Sequence, residues 1–463
     1  MEKQIRKRNM DLTSGSIWNK ILIFALPLAA SSILQQLFNS ADVAIVGHFA
    51  GSRALAAVGS NGAVINLLVN IFVGLSVGAN VIIARYLGQR NEERVHKAVH
   101  TAILVAILSG LIIMFLGIII TKPILELMST PDDIIDLAVV YLRIYFLGMP
   151  FMMVYNFGAA ILRSMGDTKR PFLCLLISGI VNVILNLFFV IVCKLSVAGV
   201  AIATVSSNII SACMVIYFLT HEEGPVKLSL KELSIDGRIL KDITKIGLPA
   251  GLQGVVFSFS NICAQSALNT LGSDVVAGSA AALNFEYFVF FLLNAFTQAC
   301  VTFTSQNYGA GNFARCKRVT LLCSIMGTVF PTILSAAFLL LGETALKFYT
   351  TEPAVIAVGL VRMRYCLVFQ FTSALMDVLS GSMRGLGYSL LPAILSLIGS
   401  CGLRLLWIYT IFPQAPSFER LLVVYPVTWA MTSLSMLIAY MWVSRRVMKT
   451  KIPAMANTKD VKI

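Results

Sequence analysis

Twelve apolar stretches, each about 20 residues or longer, follow one another along the chain with short polar connections. An α-helix needs about that length to cross the hydrocarbon core of a bilayer. The pattern therefore predicts an all-α polytopic membrane protein with 12 transmembrane helices. The predicted spans are residues 19–47, 55–81, 95–121, 135–162, 170–193, 196–220, 243–271, 277–303, 316–342, 354–383, 388–412 and 420–444.

Lysine and arginine are unevenly divided between the two sides of these spans. The N-terminus, the connections after spans 2, 4, 6, 8 and 10, and the C-terminus together carry 27 of them, whereas the other connections carry five. Because short cytoplasmic loops are enriched in basic residues, this division predicts that the N- and C-termini are both cytoplasmic.

The composition excludes a soluble globular protein. Of the 463 residues 57% are hydrophobic and 13% are charged, against about 25% charged in soluble domains. The net charge of +14 comes from short clusters between apolar runs, so we expect contacts with membrane lipids and no nucleic-acid partner. The nine cysteines form no C-x-x-C pair, and we interpret them as buried free thiols.

The chain contains an internal repeat on either side of a hydrophilic stretch near its middle. Glycine, asparagine, arginine and proline positions recur 221 or 222 residues apart, as in the pairs Gly166 and Gly387, or Pro27 and Pro249. Six spans in each half make the repeats parallel, an arrangement that transporters use. The predicted organisation is a tail at 1–18, an N-lobe at 19–220, a linker at 221–242, a C-lobe at 243–445 and a tail at 446–463.

Catalytic patterns give little support for an enzyme. The chain has no phosphate-binding G-x-x-x-x-G-K-[ST] pattern and only four histidines, so we expect neither a nucleotide nor a metal cofactor. Residues 74–78 fit the G-x-S-x-G pattern of esterases. That pattern requires a turn between a strand and a helix, and here it lies inside an apolar span.

Polar residues at membrane depth are the candidate site residues of the N-lobe, because such residues usually face a bundle interior or an aqueous cavity. Gln35, Asn39 and Asp42 share one face of the first span. Asn182 and Asn186 form a second pair four residues apart, and Thr204 lies in the next span. With Asp42 they could complete an oxygen cage for a proton or Na⁺. Alternatively, Asp42 is wetted at a helix end and the others are interhelical hydrogen-bond partners.

Two further acids, Glu286 and Asp377, lie within predicted spans of the second half. At the repeat offset of 221 neither acid has an acidic counterpart in the first half. This argues against a structural role common to both lobes. Each is a candidate for binding substrate or ion. The alternative for Glu286 is an ion pair with a nearby arginine such as Arg404.

The order of short motifs over both halves resembles the multidrug and toxin extrusion (MATE) family of secondary transporters. The resemblance rests on segments such as 35–42 (QQLFNSAD), 162–171 (LRSMGDTKRP), 247–253 (GLPAGLQ) and 306–312 (QNYGAGN). It implies two six-helix lobes that export organic cations in exchange for H⁺ or Na⁺.

The resemblance also implies a cation site in the N-lobe. The matching positions in this chain are Asp42, Asn156, Asn182, Asn186 and Thr204, with Gln35 adjacent. Many relatives have Asp where this chain has Asn186, so this chain has one negative charge fewer there. Some relatives carry an acid on the seventh helix, where this chain has Phe257 and Ser258.

We therefore expect a monomeric antiporter of the bacterial inner membrane that expels small amphipathic cationic drugs, with no cofactor besides the coupling ion. Its acids would attract cationic substrates, and aromatic side chains near Glu286 would add cation–π contacts. Two alternatives remain open at this point. One is a flippase for lipid-linked oligosaccharides, which would need more cationic residues in its cavity, and the other is an integral membrane enzyme.

Overall fold

The computed structural model describes residues 10–128, 130–347, 349–350 and 352–456, and it contains helices and no strands in that part of the chain. Eleven helices are long and apolar enough to cross a membrane, and a bent pair of helices makes a twelfth span. The prediction of an all-α protein with 12 spans is thus confirmed. The cytoplasmic placement of the two termini stays a prediction.

The described chain divides into two compact units. The first comprises residues 10–12 and Leu22–Ser258, and the second comprises Thr13–Ile21 and residues 259–456. The boundary between the two units at Ser258 lies inside the helix Gly237–Asn269 and not in the predicted linker at 221–242. The predicted lobe boundaries stay a prediction.

The helices of the first half begin and end as follows: α1 Ile17–Phe49, α2 Ser52–Ser60, α3 Gly62–Gly88, α4 Glu92–Leu127, α5 Asp132–Leu147, α6 Met149–Ser164, α7 Lys169–Leu187 with a π-helical turn at Phe188–Val192, and α8 Ser196–Thr220. Helix α6 packs against α3, α4 and α8 and is the centre of the first unit. Phe157 on α6 is fully buried there.

The helices of the second half are α9 Gly237–Asn269, α10 Ser273–Gly309, α11 Phe313–Leu340, α12 Gly342–Lys347, α13 Pro353–Gly385, α14 Leu390–Ser396 with a π-helical turn at Leu397–Gly402, α15 Leu403–Thr410 and α16 Phe418–Ala456. Helix α13 packs against α10, α11 and α16. A buried apolar cluster that includes Phe285 of α10 and Met363 of α13 fills the contact between these two helices.

Two predicted spans differ from the structure in detail. The second span is formed by α3, Gly62–Gly88, instead of 55–81, because the chain breaks at Asn61, whose buried side chain donates to the carbonyl of Ala138 in α5. The fourth span bends by 47° between α5 and α6. Pro150 near the start of α6 explains the bend, since proline removes a backbone hydrogen bond.

The structure also supports the internal repeat. Gly166 and Gly387, which the repeat aligns, both have positive φ angles, of 88° and 94°. Glycine adopts that conformation without the steric cost that other residues pay. The same backbone turn therefore recurs in both halves of the sequence.

The G-x-S-x-G segment has a packing role in the structure. Ser76 lies within the continuous helix α3 and donates to the carbonyl of Val73 at 2.7 Å. Gly74 and Gly251 allow the backbones of α3 and α9 to approach so closely that a Cβ on Gly74 would lie 2.3 Å from the nitrogen of Gly251. The strand-to-helix turn that an esterase requires is not formed by this segment.

The connection between α8 and α9 docks on the start of α4. Glu232 pairs with Nε2 of His96 at 2.8 Å, and the amide of Ser229 donates to Nε2 of His100 at 3.0 Å. Nδ1 of His100 lies 2.7 Å from the carbonyl of His96, so His100 is neutral with its proton on Nδ1. The ligand atoms of His96, His100 and Glu232 lie within 4.8 Å of one another, but both nitrogens of His100 are already engaged in docking the connection.

Asp236, just before α9, caps that helix. Its carboxylate accepts hydrogen bonds from the amides of Arg238 at 2.9 Å and Ile239 at 3.1 Å. The hydrogen bond from Ile239, followed by that from Arg238, holds the pKa of the Asp236 carboxyl below its usual value.

Candidate ion and substrate sites

Three of the predicted N-lobe residues meet in the first unit. The side-chain nitrogen of Asn186 on α7 donates to the carboxylate of Asp42 on α1 and to Oδ1 of Asn182, 3.2 Å away and one turn earlier. We call these three residues the Asp42 cluster. It brings together residues 144 positions apart in sequence.

The Asp42 cluster is mostly buried and is not saturated with hydrogen bonds. Asn186 is fully buried and Asn182 is 4% exposed, whereas Asp42 is only partly buried. Oδ1 of Asn186 has no hydrogen-bond partner among the described residues. A buried carbonyl oxygen without a donor is costly, and a cation beside the Asp42 carboxylate would satisfy it. Carboxylate and amide oxygens suit a hard cation.

Two tyrosines that sequence reasoning missed lie close to this cluster. Tyr141 and Tyr145 on α5 both interact electrostatically with Asp42, and their rings stack with centroids 5.9 Å apart. Tyr141 and Tyr145 are one helical turn apart and therefore share a face of the fourth predicted span. This spacing of aromatic residues is the sequence signal that could have identified them.

The other predicted N-lobe residues are not hydrogen-bonded to the Asp42 cluster in the described part of the chain. Asn156 donates to the carbonyl of Met152 at 2.9 Å, and Thr204 donates to that of Val200 at 3.0 Å. Both bonds stay within the residue's own helix. Gln35 is exposed on α1, two turns before Asp42. Their contribution to an ion site stays a prediction.

Glu286 has a different partner from the one suggested by the sequence. Its carboxylate forms a two-pronged ion pair with Arg362 of α13, with Nε 2.6 Å from Oε1 and Nη2 3.0 Å from Oε2. Nη1 of Arg362 donates to Ser279 at 2.7 Å. The charge of Glu286 is therefore already balanced inside the protein, and its role in substrate binding stays a prediction.

Arg404 lies near this ion pair, and no acid of the described residues forms an ion pair with it. It is 2% exposed, and its Nη1 donates to Oδ1 of Asn261 at 2.9 Å. Its guanidinium carbon lies 4.5 Å from the centre of the Tyr425 ring, and that of Arg362 lies 5.8 Å from the same centre. Arg362 is an ionisable residue within a predicted span, which is the same signal that identified Asp42, yet it was overlooked.

Asp377 on α13 has a different charged neighbour from Glu286. It interacts electrostatically with Arg384, two turns later on the same helix. No hydrogen bond joins Asp377 to Glu286 among the described residues, so the two acids of the second half do not form one site there. A direct role for Asp377 in binding substrate or ion stays a prediction.

The fold and its buried ionisable groups define a membrane transporter built from two repeats. The MatE family model matches residues 27–188 and 249–410, which is one copy in each half of the chain. The chain therefore belongs to the MATE family of multidrug efflux transporters, as its motifs indicate.

Relatives and solved structures agree with this family. The chain is 27% identical over 396 residues to the "Probable multidrug resistance protein YoeA" of Bacillus subtilis (strain 168), covering 84% of this chain and 86% of that protein. It is 22% identical over 373 residues to "Multidrug export protein MepA" of Staphylococcus aureus (strain NCTC 8325 / PS 47), covering 80% and 82%. A crystal structure of MATE in complex with MaL6 superposes with a TM-score of 0.88 at 22% identity, covering 96% of this chain and 99% of that chain.

Proposed function

We propose that this protein exports amphipathic organic cations in exchange for H⁺ or Na⁺, with the Asp42 cluster as the ion-coupling site. The observation that carries the proposal is the Asp42 carboxylate, joined through Asn186 to a second helix, next to a buried oxygen with no partner. The names of the relatives, which include a multidrug export protein, support the drug-efflux part. The proposed setting is a bacterial plasma membrane, in which the protein acts as a monomer.

The Asp42 cluster supports coupling because binding of the ion changes its charge and its hydrogen bonds. A bound proton or Na⁺ neutralises Asp42 and competes with the bond from Asn186, which links α1 to α7. In a coupled transporter the bound ion changes the affinity for the drug, and the bound drug changes the affinity for the ion by the same factor. The neutral oxygens of Asn182 and Asn186 suit Na⁺, whereas Asp42 alone suffices for a proton.

Ethidium efflux from proteoliposomes tests the proposal, with a pH gradient and a Na⁺ gradient imposed separately. We expect the wild type to respond to at least one gradient and Asp42→Asn to respond to neither, at equal amounts of inserted protein. Asp133→Asn, at an exposed acid in the first turn of α5, is the matched control and should retain coupled efflux. Ion-driven efflux by Asp42→Asn would place the coupling site elsewhere.

The same liposomes distinguish the proposed antiporter from a flippase. A flippase would move a polyprenyl-diphosphate oligosaccharide between the leaflets, measured by its exposure to a reagent that does not cross the membrane. We expect no such movement above that in protein-free liposomes. Oligosaccharide movement without ethidium efflux would replace the proposed function with the flippase.

A further inference from the structure

The connection between α8 and α9 brings a carboxylate to two histidines of α4. His96 and His100 are one helical turn apart, and the centres of their rings lie 4.1 Å apart. Oε2 of Glu232 lies 2.8 Å from Nε2 of His96, and the carboxylate interacts electrostatically with both histidines. One ligand atom of each residue lies within 4.8 Å of those of the other two. We call His96, His100 and Glu232 the histidine cluster.

The histidine cluster has the donor set of a transition-metal site. Two imidazoles and one carboxylate are a known ligand set of Zn²⁺, and two histidines four residues apart on a helix can bind one ion. Zn–N bonds of about 2.0–2.1 Å place tetrahedral ligand atoms about 3.3 Å apart. The ligand atoms of the cluster therefore reach that spacing through shifts of roughly 1–2 Å, which side-chain rotation supplies.

His100 is held in the way that a metal-binding histidine is held. It is 1% exposed, and its Nδ1 donates to the carbonyl of His96 at 2.7 Å. Such a bond fixes the tautomer and the ring orientation of a metal ligand, and it leaves Nε2 to face the ion. Nε2 accepts from the amide of Ser229 at 3.0 Å, so an ion must replace that donor. Because Ser229 is only partly buried, water can then bond to its amide.

The other two ligands of the histidine cluster are open to water. The side chains of His96 and Glu232 are 38% and 60% exposed. Lys97, next to His96 in the sequence, is paired with Glu93 at 2.6 Å, so its charge is balanced by a carboxylate outside the cluster. A neutral imidazole can move its proton to Nδ1, which leaves the Nε2 lone pair for an ion. The cluster is therefore accessible to an ion from the solvent.

We propose that His96, His100 and Glu232 bind a divalent transition-metal ion such as Zn²⁺, with water at the remaining position. The ion replaces the Ser229 amide at Nε2 of His100 and the hydrogen bond between His96 and Glu232. Since Glu232 belongs to the connection and both histidines belong to α4, the bound ion joins the connection to the helix. This inference does not depend on the substrate or the coupling ion of the transporter.

Binding of Co²⁺ to the purified full-length protein tests this inference, since Co²⁺ accepts the same ligands as Zn²⁺ and absorbs visible light. The protein is in nanodiscs and has no histidine tag. We expect saturable binding that His96→Gln and Glu232→Gln each weaken at least about tenfold, which is what loss of an outer hydrogen-bond partner alone can cost. His221→Gln and Glu223→Gln, at an exposed histidine and an exposed acid of the same connection, are the matched controls and should leave Kd unchanged.

A variant that gains a signal shows where the ion binds. A thiolate bound to Co²⁺ gives an intense charge-transfer absorption that histidine and carboxylate ligands lack. Glu232→Cys should show this absorption at Co²⁺ concentrations that saturate the wild type, whereas Glu223→Cys should have the spectrum of the wild type. Equal spectra for the two variants would overturn the inference, because the ion would then lie outside the histidine cluster.

Hydrogen exchange measures whether the ion holds the connection in place. The amide of Leu228 donates to the carbonyl of Leu219 at 2.9 Å, so it exchanges when the connection opens. We expect saturating Zn²⁺ to slow this exchange several-fold in the wild type and not in His96→Gln. Unchanged exchange in the wild type would overturn the inference. So would Co²⁺ binding that neither glutamine variant of the cluster weakens, or no saturable binding up to about 1 mM.

Discussion

At the scale of single residues, buried polar groups in this protein differ in how completely they are bonded. The Arg362–Glu286 pair is satisfied on both sides, with a third bond from Arg362 to Ser279. In the Asp42 cluster, by contrast, Oδ1 of Asn186 is left without a partner in the described chain. A satisfied pair fixes packing, whereas an unsatisfied buried group is a place where a ligand can bind.

A second carboxylate in the Asp42 cluster should change its ion dependence. In Asn186→Asp two carboxylates meet at a buried position, so each disfavours ionisation of the other unless a cation binds between them. We expect ethidium efflux to persist but to shift its dependence on pH or Na⁺ concentration. Asn269→Asp, at an exposed asparagine at the end of α9, is the control and should leave the dependence as in the wild type. Identical profiles for Asn186→Asp and wild type would argue against ion binding at this cluster.

The Arg362–Glu286 pair should matter to stability when either partner is removed alone. Breaking a buried ion pair from one side costs about 3–5 kcal/mol, because the remaining charge is left uncompensated. We expect Glu286→Gln and Arg362→Gln each to lower the melting temperature of the purified protein. The double variant should be more stable than the sum of the two losses predicts. Strictly additive losses would show that the two side chains do not depend on each other.

At the scale of helices, glycine determines how closely α3 and α9 approach. A Cβ on Gly251 would lie 2.5 Å from the carbonyl oxygen of Ile71, whereas one on Gly254, a turn later on the same face, would meet only the side chain of Asn70 at 3.4 Å. Contacts below 3 Å with backbone cannot be relieved by a rotamer change. The two glycines therefore form a matched pair for testing the contact.

We predict opposite effects for alanine at these two positions. Gly251→Ala should lower the melting temperature and the yield of folded protein, because the helices must separate. Gly254→Ala should be neutral or stabilising, since alanine favours a helix over glycine by about 1 kcal/mol. Equal melting temperatures for the two variants would show that the close approach is not needed for stability.

The cap of α9 should stabilise the start of that helix in a pH-dependent way. The pKa of Asp236 is lowered in the folded protein, so its contribution is present above the usual pKa of an aspartate, about 3.9. It is lost as the pH falls through the lowered value. We expect Asp236→Ala to speed hydrogen exchange at 237–241 several-fold at pH 7, relative to wild type at the same pH. The difference should shrink below about pH 3.9, and a constant difference at every pH would contradict a charged cap.

At the scale of the whole molecule, the basic residues predict which connections face the cytoplasm. Cys193 is an exposed free thiol beside Lys194, in the connection between α7 and α8 that is predicted to lie outside. This exposure also corrects the expectation that the cysteines are all buried, since Cys213 is exposed as well. Cys193 lies at the polar end of a span, where thiols are not sheltered by packing.

We predict that a membrane-impermeant maleimide labels Cys193 from outside in intact cells. Cys193→Ser should abolish this labelling, since Cys213 lies within a span and the remaining thiols are buried or partly buried. Labelling of Cys193 only after the membrane is opened would reverse the predicted orientation of the chain.

The sequence by itself determined the number of spans, the internal repeat and the family, together with the acids Asp42, Glu286 and Asp377 at membrane depth. These depend on the length of apolar runs and on the order of residues, which are local properties of the chain. Only the tertiary structure decided which polar groups meet. Asn186 contacts Asp42 across 144 positions and Arg362 contacts Glu286 across 76, and such contacts depend on the rotation and neighbours of each helix. For the same reason Arg404, expected beside Glu286, instead contacts Asn261 and Tyr425.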